Sequence, residues 1–559
     1  MSDTTSYVAG TTDLPLIEDT IGAMLDRAVS RWPEREALVS VEQGVRWTYE
    51  EFGRRVDELA RGLMSLGLER GDRLGVWAPN CAEWTLTQFA TAKAGLIQVN
   101  VNPAYRLSEL EYTLTKVGVK ALVAAASFKT SDYVAMTETL APEVSHCRPG
   151  ALEAKRLPAL KIVAKIGGER RPGWFEFDDL SAQGTPADLA ALPVLSNRDP
   201  INIQFTSGTT GLPKGATLSH RNLVNNAYFV GRSTGLREAD RLCVPVPLYH
   251  CFGMVMSNLA CVVHGATIVY SAAGFDPLAV LTAIEAERCT AVHGVPTMFI
   301  AELQHPRFGE FDLSSLRAGI MAGAPCPIEV MRQVIDRMHM REVTIAYGMT
   351  ETSPVSFQSS PGDPLERRVT TVGRIQPHIE AKVIDAEGRT VPRGAVGELC
   401  TRGYAVMLGY WDDPERTAEA IDAEGWMHTG DLGTLDAEGY CNIAGRAKDM
   451  IIRGGENVYP REIEEYLFRH PKIAEVAVIG VPDAKYGEEV CAWVRVHSGQ
   501  TASAEEIRGF CQGQIAHYKV PRYVHFVDAF PTTVTGKVQK FLMRQQMMQL
   551  LDLTEQSTA

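Results

Sequence analysis

No paired-cysteine motif, no apolar run of membrane-spanning length, no internal repeat and no excess of positive charge occurs in these 559 residues. Each absence removes a class of protein. The eleven cysteines are scattered from Cys81 to Cys511 without a CxxC pair or a regular spacing, which argues against a disulfide framework or a zinc module and for reduced thiols. Cys243, Cys251 and Cys261 are the closest group, but they stand in apolar runs and read as small buried hydrophobes rather than metal ligands. A formal net charge of −13 speaks against a nucleic-acid partner, because such binding leaves a basic footprint. Without a long apolar run no integral membrane segment is expected. The start, Met1-Ser2-Asp3-Thr4-Thr5, carries an acid where a signal or transit peptide carries basic residues, and Ser557-Thr558-Ala559 is no peroxisomal address. The expected compartment is the cytoplasm.

What is present is an ordinary globular composition, 45% hydrophobic and 22% charged, at a length that calls for two or more domains. Residues 47–67 read as a helix with a capping box at Thr48 and Glu51, a stop at Gly67, and Phe52, Val56, Leu59, Ala60 and Leu63 on one face. Strand-like runs at 74–77, 96–101 and 121–124 alternate with helical patterns, and others recur at 201–205, 267–270, 290–293 and 343–346. Such alternation means βαβ units and parallel sheet. From about residue 380 to 445, short strands joined by Gly, Asp and Pro turns suggest an antiparallel or barrel-like subdomain. A boundary near Gly445–Asp449 leaves a small α+β unit, with a helix starting near Pro460 and a strand carrying Val490, Ala492, Val494 and Val496 at alternate positions. The expectation is therefore a mixed α/β protein. Residues 1–447 form a large N-terminal domain of stacked βαβ sheets plus the barrel-like subdomain. Residues 448–559 form a small mobile α+β C-terminal domain.

The run Ile201–Phe205 ends in Thr206-Ser207-Gly208-Thr209-Thr210-Gly211-Leu212-Pro213-Lys214-Gly215. Glycines let several N–H groups converge, hydroxyls add donors, and Lys214 adds a point charge suited to phosphate. It is not a Walker A loop, since Lys214 follows Pro213 and precedes Gly215. The string closely resembles the AMP-binding signature of the acyl-adenylate-forming superfamily, which includes acyl-CoA synthetases, firefly luciferases and the adenylation domains of peptide synthetases.

Further matches follow in that superfamily's order. Tyr347-Gly348-Met349-Thr350-Glu351 stands at a strand's end; the resemblance implies a tyrosine packed on adenine, a threonine on phosphate and Glu351 on Mg²⁺, a hard cation that takes oxygen ligands. Gly323-Ala324-Pro325 matches the turn on the adenine's other side. Thr429-Gly430-Asp431 matches the ribose triplet, and Arg446 the arginine that also contacts the ribose. Lys448 falls where the C-terminal domain of that superfamily pivots, and Arg453-Gly454-Gly455-Glu456-Asn457 matches the loop that shapes the pantetheine channel, although the glycine pair alone is equally a hairpin turn. Lys537, in Gly536-Lys537, matches the catalytic lysine, whose charge bridges the carboxylate and the α-phosphate. His250, in Pro247–Gly253, matches a residue bordering the acyl carboxylate; a satisfied core histidine is the rival reading.

The resemblance implies a two-step reaction. A carboxylate attacks Mg·ATP to give an acyl-adenylate and pyrophosphate, then the small domain turns about Lys448 and coenzyme A takes the acyl group. Residues 350–357, 402–411 and 448–457 resemble the medium-chain fatty acyl-CoA ligase branch. Phe252, Met254, Val295, Thr297 and Ser353 are the candidate acyl pocket, apolar or small as an alkyl tunnel requires. An aryl or functionalised short acid stays open, as does loading of a separate carrier protein. A non-catalytic nucleotide sensor is disfavoured by the intact Lys537, Glu351 and Lys214. A homodimer would be the commonest closed assembly.

Overall fold

A computed structural model describes residues 4–185, 193–206, 213–324, 326–454, 456–483, 485–533 and 536–553. Two large sheets carry most of the chain. One has eight strands in the order Phe175–Glu176, Ile162–Ile166, Val119–Ala125, Arg73–Trp77, Ile97–Asn100, Pro200–Thr206, Lys214–Ser219 and Gly409–Tyr410. Its first six strands are parallel and the last two antiparallel. The other has nine, and its parallel centre runs from Glu342–Gly348 through Ala318–Ala322, Ala291–Gly294, Arg241–Cys243 and Thr267–Tyr270 to Glu36–Ser40. Strands such as Ile97–Asn100 and Ala318–Ala322 are buried along their whole length, as strands covered on both faces must be.

Helix Ala82–Ala94 is buried on almost every residue, including Thr85, Thr87, Gln88 and Thr91. A helix without a wet side lies between layers rather than on a surface. Its Thr85 and Gln88 are paired: Thr85 Oγ1 lies 2.6 Å from the Tyr270 hydroxyl, and Asn258 donates to Thr85 and to Gln88, each at 3.1 Å. A second buried group crosses the eight-stranded sheet. Register places Asn202 beside Gln98 and Gln204 beside Asn100; Asn202 Nδ2 donates to Asn100 Oδ1 at 3.0 Å, and Gln204 Nε2 to Asn202 Oδ1 at 2.8 Å. This amide ladder ends two residues before Thr206, fixing the strand from which the glycine-rich loop departs.

The expected strands are present, each within a few residues of the reading above. The helix read over 47–67 spans Tyr49–Ser65, and the Thr48 side chain accepts from Glu51 N at 3.2 Å. Glu51 does not complete a capping box, because Arg55 one turn on holds its carboxylate at 2.7 Å. The segment from 380 is antiparallel as expected: Tyr7–Ala9, Ile379–Ile384, Gly397–Gly403, Met427–Leu435 and Cys441–Arg446 pair in that order. Among the described residues its two edge strands do not pair with each other, so the sheet is open rather than closed into a barrel.

After Arg446 a single 3₁₀ turn, Ala447–Asp449, leads to a separate five-stranded sheet built on the long Ile473–Asp483 and Gly487–Val496 hairpin. Val490, Ala492 and Val494 bury one face with helix Pro460–Leu467. The intervening Cys491 and Trp493 bury the other, under helix Lys540–Leu550. That strand is thus covered on both sides, and alternation alone revealed only one of them. All eleven cysteines are free, and all but the half-buried Cys147 are buried. No helix among the described residues is long and apolar enough to cross a membrane.

The amide ladder makes a specific demand on stability. Asn202→Leu takes the Asn202 oxygen from the Gln204 amide and one of two donors from Asn100 Oδ1, which keeps Gln98 Nε2 at 2.9 Å, at a cost of about 2 kcal/mol. The midpoint of urea unfolding should fall accordingly; an unchanged midpoint would mean the ladder contributes nothing.

Candidate functional site

Parallel strands of both sheets deliver their carboxyl ends to one region, the place where open α/β sheets bind ligands. Pairing of Ala322 with Ala346 and of Gly294 with Met321 sets Val295, Gly323 and Tyr347 at adjacent strand ends. Gly323 has φ +87°, and a Cβ there would stand 3.2 Å from Val295 Cγ1, so both conformation and space call for glycine. Ala324 follows it. Pro325 lies outside the described residues, as do Ser207, Gly208, Thr209, Thr210, Gly211, Leu212 and Gly455.

Thr206 and Lys214, at the two ends of that loop, are cross-strand partners. The Thr206 hydroxyl donates to Glu351 Oε1 at 3.1 Å, and the Tyr410 hydroxyl donates to the same oxygen at 2.9 Å. Both bonds from described residues fall on Oε1, and Glu351 is buried beside Thr350 in the turn Thr350–Thr352. A carboxylate fixed through one oxygen can offer the other to a hard cation. Lys214 Nζ lies 4.3 Å from the centre of the Tyr410 ring, so one tyrosine steadies both the acid and the lysine. Pro213 accepts through its carbonyl from Tyr112 at 3.1 Å.

Asp431 and Arg446 are cross-strand partners in the antiparallel sheet, with Arg446 Nε 3.4 Å from Asp431 Oδ1. The Tyr347 hydroxyl donates to Asp431 Oδ2 at 2.7 Å. A bulge creates this arrangement: Glu398 pairs with Leu432 and Cys400 with His428, leaving Thr429, Gly430 and Asp431 opposite Leu399. Gly430 takes φ +68° at its crest. Aromatic ring, carboxylate and guanidinium therefore converge from three separate elements.

Lys537 reaches this group from the small domain. Its turn is tight, with Gly536 N donating to Thr533 O at 2.9 Å and Thr533 N to Lys537 O at 2.8 Å. Gly536 has φ +78°, and a Cβ there would meet Thr297 Oγ1 at 2.9 Å and Val295 Cγ2 at 3.1 Å. The turn thus rests on the Val295–Thr297 shoulder of the large domain. Lys537 is exposed as a residue, with protein and charged groups crowded about its ammonium. Burial, and then the Arg446 and Lys448 charges, lower its ammonium to about 8, against the opposing pull of Asp431 and Asp449. Burial first and Lys537 second push His250 down to about 4. The neutral ring accepts from Phe252 N through Nδ1 at 3.2 Å, which puts its proton on Nε2, a donor for an incoming carboxylate.

Of the candidate acyl-pocket residues, Phe252 packs against the His293 ring at 5.6 Å between centres, and Val295 and Thr297 border the Gly536 turn. Met254 and Ser353 lie deeper. Met254 is buried on the amide ladder, with Asn100 Nδ2 3.5 Å from its sulfur. Ser353 is wholly buried with its hydroxyl donating to Ala405 O at 2.6 Å. Lys448 stands in the turn between the two domains, and burial together with Arg446 lowers its ammonium. Gly454, at φ +60°, donates to Tyr486 O at 2.8 Å, a contact within the small domain. Missed in the sequence were Tyr410, and Asn80 and Asn100, which brace the segment before His250 through Leu248 N and Tyr249 O.

The family described as "AMP-binding enzyme" matches residues 25–411, and "AMP-binding enzyme C-terminal domain" matches residues 462–537. The zebrafish (Danio rerio) protein named medium-chain acyl-CoA ligase ACSF2, mitochondrial, is 51% identical over 557 residues, 98% of this chain and 92% of that relative. The crystal structure of the anthranilate CoA ligase AuaEII with anthranoyl-AMP aligns at TM-score 0.86 and 27% identity, covering 97% of this chain and 99% of that one. ATP-bound MatB from Rhodopseudomonas palustris aligns at TM-score 0.82 and 30% identity, covering 96% and 100%. The chain belongs to the AMP-binding enzyme family.

The lowered Lys537 value can be read without any assay of turnover. A free amine is the nucleophile, so competitive labelling by acetic anhydride should show Lys537 gaining reactivity through about pH 8, where ordinary lysines, at 10.5, remain protonated. Titration together with the bulk lysines would contradict the lowered value.

Proposed function

We propose that this chain is an ATP-dependent, AMP-forming acid–CoA ligase that converts a medium-chain fatty acid to its acyl-CoA through an acyl-adenylate. The observation that carries the reading is the seating of the Lys537 turn on Val295–Thr297, beside the Asp431–Arg446 pair and His250. One charged group from a second domain then faces nucleotide and acid together.

In this reading Tyr347 and the Gly323–Ala324 turn flank the adenine, and Asp431 and Arg446 hold the ribose. The loop from Thr206 to Lys214 cradles the phosphates. His250 Nε2–H and the Lys537 ammonium orient the acid. A carboxylate oxygen attacks the α-phosphorus, the bond to pyrophosphate breaks, and Lys537 offsets the charge that builds on the transferring group. Glu351, with Thr206 and Tyr410 fixing one oxygen, is the residue that would hold Mg²⁺, which neutralises phosphate charge when bound. Residues 1–447 and 448–559 act as the two moving parts, joined at Lys448. Turning about that joint withdraws Lys537 and brings the 454–457 loop forward. The thiolate of coenzyme A then attacks the acyl carbon and AMP leaves. Phe252, Val295 and Thr297 offer an apolar wall for the chain.

Medium chain length rests on the 51% identity to a relative bearing that name, against 27% to an aryl-acid ligase. A cytoplasmic setting is supported by the eleven free cysteines, although the zebrafish relative's name places that protein in the mitochondrion. A homodimer would follow the commonest closed symmetry.

AMP release measured over straight-chain and aryl acids, with and without coenzyme A, tests the substrate. A coenzyme-A-dependent maximum at about six to ten carbons is expected. A maximum on aryl acids would move the substrate, and pyrophosphate exchange without thioester formation would move the acceptor to a carrier protein. Tyr410→Phe removes one of the two hydroxyls on Glu351 and should raise KM for Mg·ATP roughly tenfold, the value of one hydrogen bond to a charged group. An unchanged KM would remove Tyr410 from the site.

A further inference from the structure

The base of the ribose bulge holds a second constellation that the adenylation chemistry does not use. Glu398 and Cys400 lie two apart on one strand, so they share a face. His428 is the cross-strand partner of Cys400. One ligand atom from each of the three lies within 4.8 Å of the others. His428 Nδ1 is 3.1 Å from Glu398 Oε2 and 3.7 Å from Cys400 Sγ. Donors held about 2.0–2.3 Å from a tetrahedral Zn²⁺ stand about 3.3–3.6 Å from one another. The trio is thus close to that spacing without a large movement.

The surroundings fit as well. The other ring nitrogen, Nε2, faces Asp422 Oδ2 at 3.9 Å. A carboxylate behind the distal nitrogen of a ligating histidine fixes its tautomer and orientation. Cys400 is fully buried against Ile384 and Trp426, while the His428, Glu398 and Asp422 side chains keep about 28–33% of their surface open, which gives an ion a way in. Lys382, opposite Cys400 on the neighbouring strand, has its ammonium drawn 4.4 Å from the centre of the Trp426 ring. Arg402 stands 4.4 Å from the same ring but is paired with Glu380, and two carboxylates and a thiol face these cations.

The geometry points to a Zn²⁺ site formed by Glu398, Cys400 and His428, with a fourth position left to water. The bond from zinc to sulfur replaces the thiol proton, which leaves to solvent. Occupation has a structural consequence, because the other Glu398 oxygen, Oε1, already accepts from Gly430 N at 3.1 Å. An ion on Oε2 clamps the Thr429–Gly430–Asp431 turn to the sheet from beneath, one residue from the carboxylate that pairs with Arg446.

Co²⁺ added to the metal-free full-length chain, reduced by a non-thiol reductant, is the probe. Wild type should bind one equivalent with a thiolate-to-cobalt charge-transfer band and the intense visible bands of four-coordinate cobalt. Cys400→Ser should lose the charge-transfer band, and His428→Asn should bind at least tenfold more weakly with its far-UV spectrum unchanged. One equivalent of Zn²⁺ should raise the thermal midpoint of wild type and leave that of Cys400→Ser where it was. A wild-type protein without the band, or a band that persists in Cys400→Ser, overturns the proposal. So does an equal Zn²⁺ shift in both proteins.

Discussion

Everything at the mouth of the two sheets is arranged around one carboxylate. Asp431 accepts from the Tyr347 hydroxyl and pairs with Arg446 across the strand, and its charge acts on Lys537 and Lys448 as well. Arg446 ends the last strand of the large domain, and the Ala447–Asp449 turn that leads into the small domain begins at the next residue. The carboxylate that gathers Tyr347 and Arg446 is therefore also tied to the turn that leads into the small domain. Three cations, Lys537, Arg446 and Lys448, crowd two acids, Asp431 and Asp449, and that excess positive charge adds to burial in lowering Lys537. A bound polyphosphate would offset that excess.

The second constraint is rigidity beneath the loops. Thr206 and Lys214 are locked as strand partners, Gln204 is held by the amide ladder, and Glu351 is fixed by Thr206 and Tyr410. Buried amides cost more than apolar residues if left unpaired, and when paired they admit one register. The same logic holds the segment before His250, where Asn80 and Asn100 fasten the backbone that would otherwise wander.

Short-range chemistry was readable in the sequence. The parallel strands showed as buried apolar runs, the Thr48 cap and Gly67 stop showed by residue type, and the motif residues that are described collect at one mouth. Pairings between distant strands were not readable. Nothing near Tyr410 announces that it will meet Glu351, because that contact depends on the Gly409–Tyr410 strand joining Lys214–Ser219. Nor does the sequence show that the Ser353 hydroxyl meets Ala405 O or that the Met254 sulfur meets the Asn100 amide. Cysteine spacing likewise hid Cys400, whose neighbours Glu398 and His428 come together only through the register of the bulged pair. The antiparallel segment advertised its turns but not whether its edges would meet, since closure is a property of the whole sheet.

Separating the two half-reactions of Lys537→Ala tests the account most directly. Acyl-adenylate formation, followed by pyrophosphate exchange, should fall by about 100-fold or more, while thioester formation from synthetic acyl-adenylate and coenzyme A stays within a few-fold of wild type. Equal losses in both halves, or adenylation at the wild-type rate, would contradict the placement of Lys537 as the group that serves the first step alone.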